Sequence, residues 1–311
     1  MSNLTNRSIL ITGGNGFLGR AVQRALESRG VYACCPSSHD CDLRFQSIAS
    51  GYFQFYRPEI VIHLAAIVGG IGANRERPAH FFCENILIGM NVAELCRRYR
   101  VQKLINIGTA CSYPADAPTP IEESSMWSGY PEPTNAPYGV AKRAMITMLD
   151  AYRDQYGLES VTLIPANLYG PGDNFDPETS HVIPAMIRKI EEAKKTGVPP
   201  VFWGNGNATR QFLYVDDAAE AIVRAAERDI GETVVNLPGK DEVIMRDLVW
   251  EVGAACGYRC GDELWDSTKP NGQRRRALCG KRASDWLNWS PSTTLATGLA
   301  NTVEWWRRQQ G

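Results

Sequence analysis

Three residues in the middle of the chain have the types and spacing needed to move a proton to or from a carbonyl oxygen. Tyr138 and Lys142 lie four residues apart at the start of a predicted helix, so their side chains project from one helix face. A nearby ammonium favours the phenolate, which can then exchange a proton with a hydroxyl or carbonyl oxygen near neutral pH. Thr109 follows a predicted strand and offers a hydroxyl that can hydrogen-bond the same oxygen. The three residues together indicate acid–base chemistry.

The Tyr/Lys spacing alone proves little, because Tyr99 and Lys103 share it. That second pair spans the end of one predicted helix and the start of a strand, so we interpret it as structural. An isolated threonine at a strand end is also more often a capping residue than a catalytic one. Thr109 differs because its strand delivers it to the carboxyl edge of the predicted sheet, where ligands of such folds bind. The joint pattern therefore favours a catalytic site.

A glycine-rich loop joins the first predicted strand to the first predicted helix. Residues 12–19 place Gly13, Gly16 and Gly19 in this loop. Glycine permits a tight turn and a close approach of the backbone, and the helix N-terminus offers amide groups to a pyrophosphate. A plain helix-entry loop is the alternative, but the strand before and the helix after are the context that a dinucleotide site requires. The loop predicts a nicotinamide dinucleotide cofactor, whose ribose Lys142 would bind.

The choice between NAD and NADP depends on the end of the second predicted strand. NAD sites usually carry a carboxylate there and NADP sites an arginine, and residues 33–39 contain neither. A 2′-phosphate would meet Ser37 and Ser38, so we favour NADP(H) and leave NAD(H) open; Asp42 would contact the adenine or cap its loop. The predicted cofactor contacts are Gly13, Asn15, Gly16, Phe17, Leu18, Gly19, Ser37, Ser38, Asp42, Leu43, Leu64, Ala65, Ala66, Ile107, Gly108, Tyr138, Lys142, Pro165, Asn167 and Leu168.

Short apolar runs alternate with longer helical patterns in the first half of the chain. The runs are apolar nearly throughout, as expected for strands of a parallel sheet that helices cover on both faces. The predicted strands are residues 8–12, 31–35, 60–64, 103–107 and 160–164, and the predicted helices are residues 16–28, 45–56, 79–98 and 138–156. The predicted fold class is α/β, a Rossmann-type doubly wound parallel sheet.

The second half of the chain has more glycine and proline and shorter predicted helices, at residues 182–195, 216–228 and 245–256. We expect an NAD(P)-binding domain over residues 1–168 and a smaller α/β substrate lobe over residues 169–311, with some elements returning to the first domain. The helices at 79–98 and 138–156 carry apolar residues around much of their circumference, which indicates a second buried face. A homodimer packed through these two helices is the expectation.

Composition narrows the classes of partner. The 311 residues include 33 Lys and Arg against 34 Asp and Glu, so no global field favours nucleic acid or an anionic membrane. The longest apolar stretches, such as residues 60–71, are shorter than the ~20 residues of a membrane-spanning helix, so we expect a cytoplasmic protein. Nine cysteines without a CxxC pair fit reduced thiols, and four scattered histidines give no metal-ligand spacing. We expect small-molecule partners and no metal.

The order of these motifs resembles an extended short-chain dehydrogenase/reductase, and closer strings resemble GDP-L-fucose synthases. Among them are VGGIGAN at 68–74, SHVIPA at 180–185 and RQFLYVDD at 210–217. Further matching strings lie at residues 63–66, 132–138, 167–171, 174–175, 203–206 and 269–272. The similarity spans nearly the whole chain, from about Ser8 to Trp306.

That resemblance implies a reaction and further residues. The family epimerises a GDP-linked 4-keto-6-deoxy-mannose at carbons 3 and 5 and then reduces the ketone with NADPH in the same site. Protons beside a ketone are acidic because the enolate places charge on oxygen, which hydrogen bonds can stabilise. The resemblance makes Cys111 and His181 the base and acid of epimerisation and adds His181 to the cofactor contacts. Out of this context, a buried inert thiol and a structural histidine would be the better interpretations.

The resemblance also implies a GDP-sugar site and reveals departures. Its predicted residues are Asn167, Lys189, Trp203, Arg210 and Lys269, although exposed Lys and Arg side chains are more often merely solvated. The run from Arg274 to Arg276 is either a cationic rim of the site or solvent-facing. Thr109 replaces the usual serine, and Lys189 stands where relatives often have arginine, which removes a bidentate phosphate contact.

Three functions follow from this interpretation. The first is the dual epimerase and reductase that produces GDP-L-fucose or a close relative. The second retains one of the two activities on a related GDP-4-keto sugar, such as a dideoxyhexose or a heptose. The third is a non-catalytic NAD(P)-binding regulator, against which the complete set of Thr109, Tyr138 and Lys142 argues, because a binding module does not need proton-transfer groups.

Overall fold

A computed structural model describes residues 4–261, 264–269 and 272–311. The strands are β1 (Ile9–Thr12), β2 (Ile60–His63), β3 (Lys103–Ile107), β4 (Glu159–Pro165), β5 (Asn167–Tyr169), β6 (Val201–Trp203), β7 (Thr209–Tyr214), β8 (Val234–Leu237), β9 (Glu242–Ile244), β10 (Leu264–Asp266) and β11 (Arg275–Arg276). The helices are α1 (Phe17–Glu27), α2 (Gln46–Tyr56), α3 (Ile71–Glu76), α4 (Pro78–Arg98), α5 (Ala136–Tyr156), α6 (Val182–Thr196), α7 (Val215–Glu227), α8 (Met245–Cys256), α9 (Lys281–Leu287) and α10 (Leu295–Gln310).

A five-stranded parallel sheet forms the centre of the fold, in the order β1-β2-β3-β4-β8. Helices α1, α7 and α9 pack on one face, and α2, α4 and α5 pack on the other. Alternate residues of each strand point to opposite faces, so Ile9 and Ile11 join one hydrophobic cluster and Leu10 joins the other. The predicted Rossmann-type, doubly wound α/β fold is confirmed.

The predicted strand at residues 31–35 is wrong. The segment runs beside β1 but forms only an isolated bridge between Leu10 and Cys34, with one hydrogen bond from Cys34 N to Ile9 O and one from Ile11 N to Cys34 O. The next bond of a parallel ladder would require an amide hydrogen at position 36. Pro36 has none, so the ladder ends after one residue.

The remaining strands form two smaller groups. Strand β7 pairs in parallel with β5 and β11 and antiparallel with β9, and β10 pairs in parallel with β6. Helices α6, α8 and α10 cover these strands around a third hydrophobic cluster that includes Ile187, Val249 and Val303. In the β7–β11 pair, Arg276 lies opposite Arg210. No helix in the described ranges is long and apolar enough to cross a membrane.

Candidate active site

The glycine-rich loop after β1 is shaped by two close approaches that only glycine permits. Gly13 has a φ of +71°, and a Cβ there would lie 2.7 Å from the backbone nitrogen of Ala65. A Cβ at Gly19 would lie 2.3 Å from the carbonyl oxygen of Gly13. Helix α1 begins after Gly16 without a side-chain cap, which leaves its first amide groups available to an anion. The loop therefore fits a pyrophosphate.

The predicted ribose end contains an acid, Asp40, that is not among the predicted cofactor contacts. The hydroxyl of Ser37 donates a 2.5 Å hydrogen bond to Asp40 Oδ2, and both residues line a cavity of about 610 Å³ that also reaches Asn15. Ser38 is exposed. Asp42 Oδ2 forms an ion pair with Arg44 Nη2 at 2.6 Å, so this carboxylate already has a partner within the protein.

Tyr138 and Lys142 both lie in the first two turns of α5. Lys142 is buried, and desolvation lowers the pKa of its ammonium to about 8. Burial also raises the pKa of Tyr138, the negative charge of Cys111 adds to this, and a hydrogen bond from the Thr109 side chain opposes it. The lysine spacing predicts a phenolate, but burial outweighs the effects that favour it. Tyr138 is therefore a protonated phenol at neutral pH, the form that donates a proton.

Cys111 lies in a helical turn over Ala110–Ser112, directly after β3. The Cys111 amide donates a 3.2 Å hydrogen bond to Thr109 Oγ1, and the Ser112 hydroxyl donates a 3.0 Å bond to the carbonyl oxygen of Gly139. A Cβ at Gly139 would lie only 2.2 Å from the Cys111 carbonyl oxygen. The turn is therefore in direct contact with the helix that carries Tyr138.

Two arginines place positive charge near the Cys111 thiol. Arg276 Nη1 lies 3.5 Å from Cys111 Sγ, and Arg276 Nη2 donates a 3.0 Å hydrogen bond to Asn167 Oδ1. Desolvation, and then the charge of Arg276, lower the pKa of Arg210 to about 10, while Cys111 acts in the opposite direction. Of the three consecutive arginines at 274–276, the structure therefore brings Arg276 to the thiol.

His181 lies at the start of α6, beside the loop that follows β2. It immediately precedes α6, and its ring is exposed, although the surrounding protein desolvates it enough to lower its pKa. The ring has no hydrogen-bond partner in the part of the chain that the structure describes. The adjacent Ser180 carbonyl oxygen lies 3.7 Å from a Cβ built on Gly70, in the loop after β2.

Most of the other predicted cofactor contacts lie at the carboxyl edge of the central sheet. Leu64, Ala65 and Ala66 follow β2. Ile107 is the last residue of β3, and Gly108 follows it. Pro165 is the last residue of β4, and Asn167 and Leu168 belong to β5. Phe17 and Leu18 open α1. Leu43 is buried within the hydrophobic cluster under α4, so its side chain packs in the core.

The predicted GDP-sugar residues lie in or beside the two smaller groups of strands. Lys189 Nζ donates a 2.7 Å hydrogen bond to the carbonyl oxygen of Val201, and desolvation, and then the charge of Arg188, lower its pKa. Trp203 is exposed, and Lys269 Nζ lies 5.6 Å from the centre of its ring. Pro270 and Asn271, which belong to the string at 269–272, lie outside the described residues. No cluster of three potential metal ligands occurs among the residues described.

Comparisons with known proteins agree on one family. Residues 9–237 match the NAD dependent epimerase/dehydratase family. The chain is 39% identical to GDP-L-fucose synthase 1 of Arabidopsis thaliana over 310 residues, which covers 98% of this chain and 95% of the relative.

Two crystal structures are similar over nearly the whole chain. A GDP-L-fucose synthetase from Naegleria fowleri bound to NADP has a TM-score of 0.89 and 27% identity, covering 100% of this chain and 97% of that one. A GDP-6-OMe-4-keto-L-xylo-heptose reductase from C. jejuni has a TM-score of 0.92 and 26% identity, covering 99% and 100%.

Proposed function

The chain belongs to the NAD dependent epimerase/dehydratase family and, within it, to the GDP-L-fucose synthases, and from this membership we propose a dual reaction. The protein epimerises GDP-4-keto-6-deoxy-D-mannose at carbons 3 and 5 and reduces its 4-keto group, which produces GDP-L-fucose. One observation carries the proposal. The Cys111 thiol has Arg276 beside it and lies in a turn packed on the helix that presents Tyr138.

The proposed cofactor is NADP(H). The glycine loop and the first turn of α1 hold its pyrophosphate, Ser37 and Ser38 face its adenosine ribose, and Lys142 binds its nicotinamide ribose. When bound, the reduced nicotinamide supplies the hydride for the ketone. The NADP-bound relative from Naegleria fowleri supports this choice over NAD(H).

In the epimerisation, Cys111 removes a proton from a carbon beside the ketone. The thiolate is the form of a cysteine that acts as a base, and the Arg276 guanidinium lies beside this sulfur. Tyr138 and Thr109 hydrogen-bond the ketone oxygen, where the charge of the enolate develops. His181 is the acid: its imidazolium, whose pKa desolvation lowers, donates a proton to the same carbon from the opposite face of the sugar ring.

In the reduction, Tyr138 donates its proton to the ketone oxygen. Its burial keeps the phenol protonated until this step, and the positive charge of Lys142 favours the phenolate that is left. The same tyrosine thus serves both half-reactions, first as a hydrogen-bond donor and then as the acid.

The GDP part of the substrate binds to Arg210, Lys189 and Lys269 through its phosphates, and Trp203 offers an aromatic surface. Asn167 assists from β5 at the edge of the site. Lys189 must give up its hydrogen bond to the Val201 carbonyl in order to reach a phosphate.

A second candidate function is a single activity on a related sugar. The similarity to a GDP-4-keto-heptose reductase, together with Lys189 in place of arginine, favours this alternative for the choice of sugar. Cys111 and His181 favour a retained epimerase activity. A non-catalytic regulator remains the least supported reading, because the proton-transfer residues are complete.

Chain organisation and assembly complete the proposal. Residues 1–168 form mainly the cofactor domain, residues 169–311 form mainly the substrate lobe, and β8 returns to the central sheet. Helix α4 exposes Phe82, Leu87 and Met90, which supports a homodimer through α4 and α5. All nine cysteines are free thiols, which supports a reducing, cytoplasmic location.

The decisive experiment mixes the purified protein with GDP-4-keto-6-deoxy-mannose in deuterated water, with NADPH and separately with NADH. Cofactor oxidation at 340 nm together with deuterium in the product establishes the dual reaction and identifies the preferred nicotinamide. Deuterium uptake without oxidation shows an epimerase only. If neither signal occurs, the dual reaction on this sugar is wrong, and the heptose and dideoxyhexose analogues are tested next.

A further inference from the structure

A row of buried polar side chains crosses the central sheet beneath α5. Thr12, His63, Asn106 and Thr162 are direct register partners on the adjacent strands β1, β2, β3 and β4. Their exposed fractions are 2%, 2%, 0% and 1%. Interior positions of a parallel sheet are normally apolar, so four polar residues at one level need an explanation.

The hydrogen bonds within the row leave one buried acceptor, the side-chain oxygen of Asn106, without a partner among the described residues. Thr12 Oγ1 and His63 Nδ1 are 2.7 Å apart, and Asn106 Nδ2 donates a 3.1 Å hydrogen bond to Thr162 Oγ1. Asn106 Oδ1 is buried and has no hydrogen-bond partner among the described residues. A buried carbonyl oxygen without a partner is costly, so a donor is expected beside it.

Lys142 lies above this row. Met145 and Leu149, which follow Lys142 on the same stripe of α5, pack in one cluster with Leu104 and Val61. Because α5 connects the parallel strands β3 and β4, it runs opposite to them. Lys142 lies three residues before Met145, about 4.5 Å back along the helix axis, and this brings it towards the next residues on the same face of the strands, which lie about 6.6 Å further on. Those residues are the polar row.

Electrostatics agree with this placement. Burial, and then the positive charge of Lys142, lower the pKa of His63 to about 3, so the imidazole beside Asn106 is neutral. A buried ammonium needs acceptors, and a neutral histidine and an asparagine carbonyl supply them without adding charge.

Few other titratable groups face Lys142 in the described structure. Tyr138 shares its helix face, and Cys111 lies next to Tyr138. On α4, Glu84 pairs with Arg44, and Glu94 pairs with Arg97. At the far end of β4, Glu159 pairs with Lys103. His63 is thus the titratable group that the strands place below the ammonium.

We propose that Asn106 Oδ1 and His63 hold the Lys142 ammonium through one bound water, and thereby fix the height of the Tyr138–Lys142 pair above the sheet. Asn106 and His63 are positioning residues in this scheme, which rests on the proposed function for its catalytic meaning. A water needs two to four polar partners, and the Asn106 oxygen, the imidazole and the ammonium provide them.

The first test uses two variants of Asn106, one that removes the acceptor oxygen and one that gives it a negative charge. Asn106→Leu removes the oxygen, which disfavours the ammonium, so the alkaline fall of the reduction rate should move to lower pH. Asn106→Asp places a carboxylate there and should move that fall to higher pH, each by about one unit. A structural residue would lower the rate at every pH without moving the fall. Shifts in the same direction, or no shift, overturn the proposal.

The control is Ser160→Ala, which removes a buried hydroxyl from the same strand as Thr162, two residues away from the row. Its pH profile should match that of the unchanged protein. If Ser160→Ala moves the alkaline fall as far as Asn106→Leu does, the level of the row is irrelevant and the proposal fails.

The second test requires neither turnover nor a folded variant. A high-resolution crystal structure of the unchanged protein without cofactor should show one ordered water bonded to both Asn106 Oδ1 and Lys142 Nζ. A structure in which no ordered water is bonded to both atoms overturns the inference, even if the enzyme is active. Conversely, absent turnover with every GDP-4-keto sugar would remove the proposed function while leaving this water test valid.

Discussion

Arg276 and Cys111 come from segments 165 residues apart, yet Arg276 Nη1 lies 3.5 Å from Cys111 Sγ. The arginine is held in this position by its hydrogen bond to Asn167 and by the pairing of β11 with β7. The contact therefore places a permanent positive charge beside the sulfur that the proposed epimerisation uses.

Cys111→Ser should suppress solvent deuterium incorporation beside the ketone by about 10²-fold or more, because a serine hydroxyl is a far weaker base at neutral pH. Cofactor affinity, measured by fluorescence titration, should not change. Cys83→Ser is the matched control, since Cys83 is exposed on α4. Exchange at the unchanged rate in the Cys111 variant would show that another group removes the proton.

Tyr138→Phe should reduce the rate of ketone reduction by about 10²-fold or more, because the proton donor is lost. The rate is followed as NADPH oxidation. Tyr99→Phe serves as the control: it has the same spacing to a lysine but bonds Ser50 through its hydroxyl at 2.7 Å. The control should cost about 1 kcal/mol of stability and leave the rate unchanged. Undiminished reduction by the Tyr138 variant removes it from the acid role.

The reduction should have an alkaline limit near pH 8. Desolvation lowers the pKa of Lys142 to about 8, so the ammonium is present below that pH and is lost as the pH rises through it. The measurement is kcat/KM for the keto sugar between pH 6 and about 10, since this quantity reports ionisations of the free enzyme. A profile that stays flat to about pH 10 would show that the Lys142 charge is not required.

Gly139→Ala should impair both half-reactions and lower stability, because its Cβ would meet the Cys111 carbonyl oxygen at 2.2 Å. The thermal unfolding midpoint and both rates are measured together. Gly51→Ala is the matched control, because it lies inside α2 with open space around it and should stabilise the protein by up to about 1 kcal/mol. Equal effects of the two substitutions would contradict this account of the turn.

Asp173→Asn should stabilise the protein more at pH 8 than at pH 5. The Asp173 carboxyl is buried, its Oδ2 has no partner among the described residues, and desolvation raises its pKa to about 7. Because the folded-state pKa is raised, the protonated Asp173 carboxyl contributes stability that is fully present below the unfolded pKa of about 4. That stability is lost as the pH rises through about 7. The amide avoids this loss, so the gain in stability measured by denaturant titration should be larger at pH 8 than at pH 5 by up to about 3 kcal/mol. The same gain at both pH values would refute the assignment.

Local pattern was sufficient for most of the sheet and helices. The strand at residues 103–107 and the helix at residues 245–256 have the predicted bounds, because continuous apolar runs and helical periodicity are properties of neighbouring residues. The segment at 31–35 looked the same by composition. Only the ladder geometry shows that Pro36 cannot continue it.

The arginine at the thiol could not be chosen from the sequence. Residues 274–276 are all arginines. Successive side chains of a strand point to opposite sides, so Arg275 pairs with Glu242 and Arg276 lies beside Cys111. The protonation of Tyr138 was likewise inaccessible, because it depends on burial rather than on the nearby lysine. The buried row at His63 and Asn106 had a signal, since both are polar residues within apolar strands.

Strand β8 completes the central sheet only after most of the chain has been synthesised. It is the last strand to join the central sheet, and its partner β4 precedes it by the whole of β5, α6, β6, β7 and α7. A nascent chain that has emerged only as far as β4 therefore presents an unpaired edge, the kind of surface that recruits foreign strands. Severing the chain between β4 and β8 would leave an N-terminal fragment whose central sheet ends in this unpaired edge, and such a fragment should aggregate.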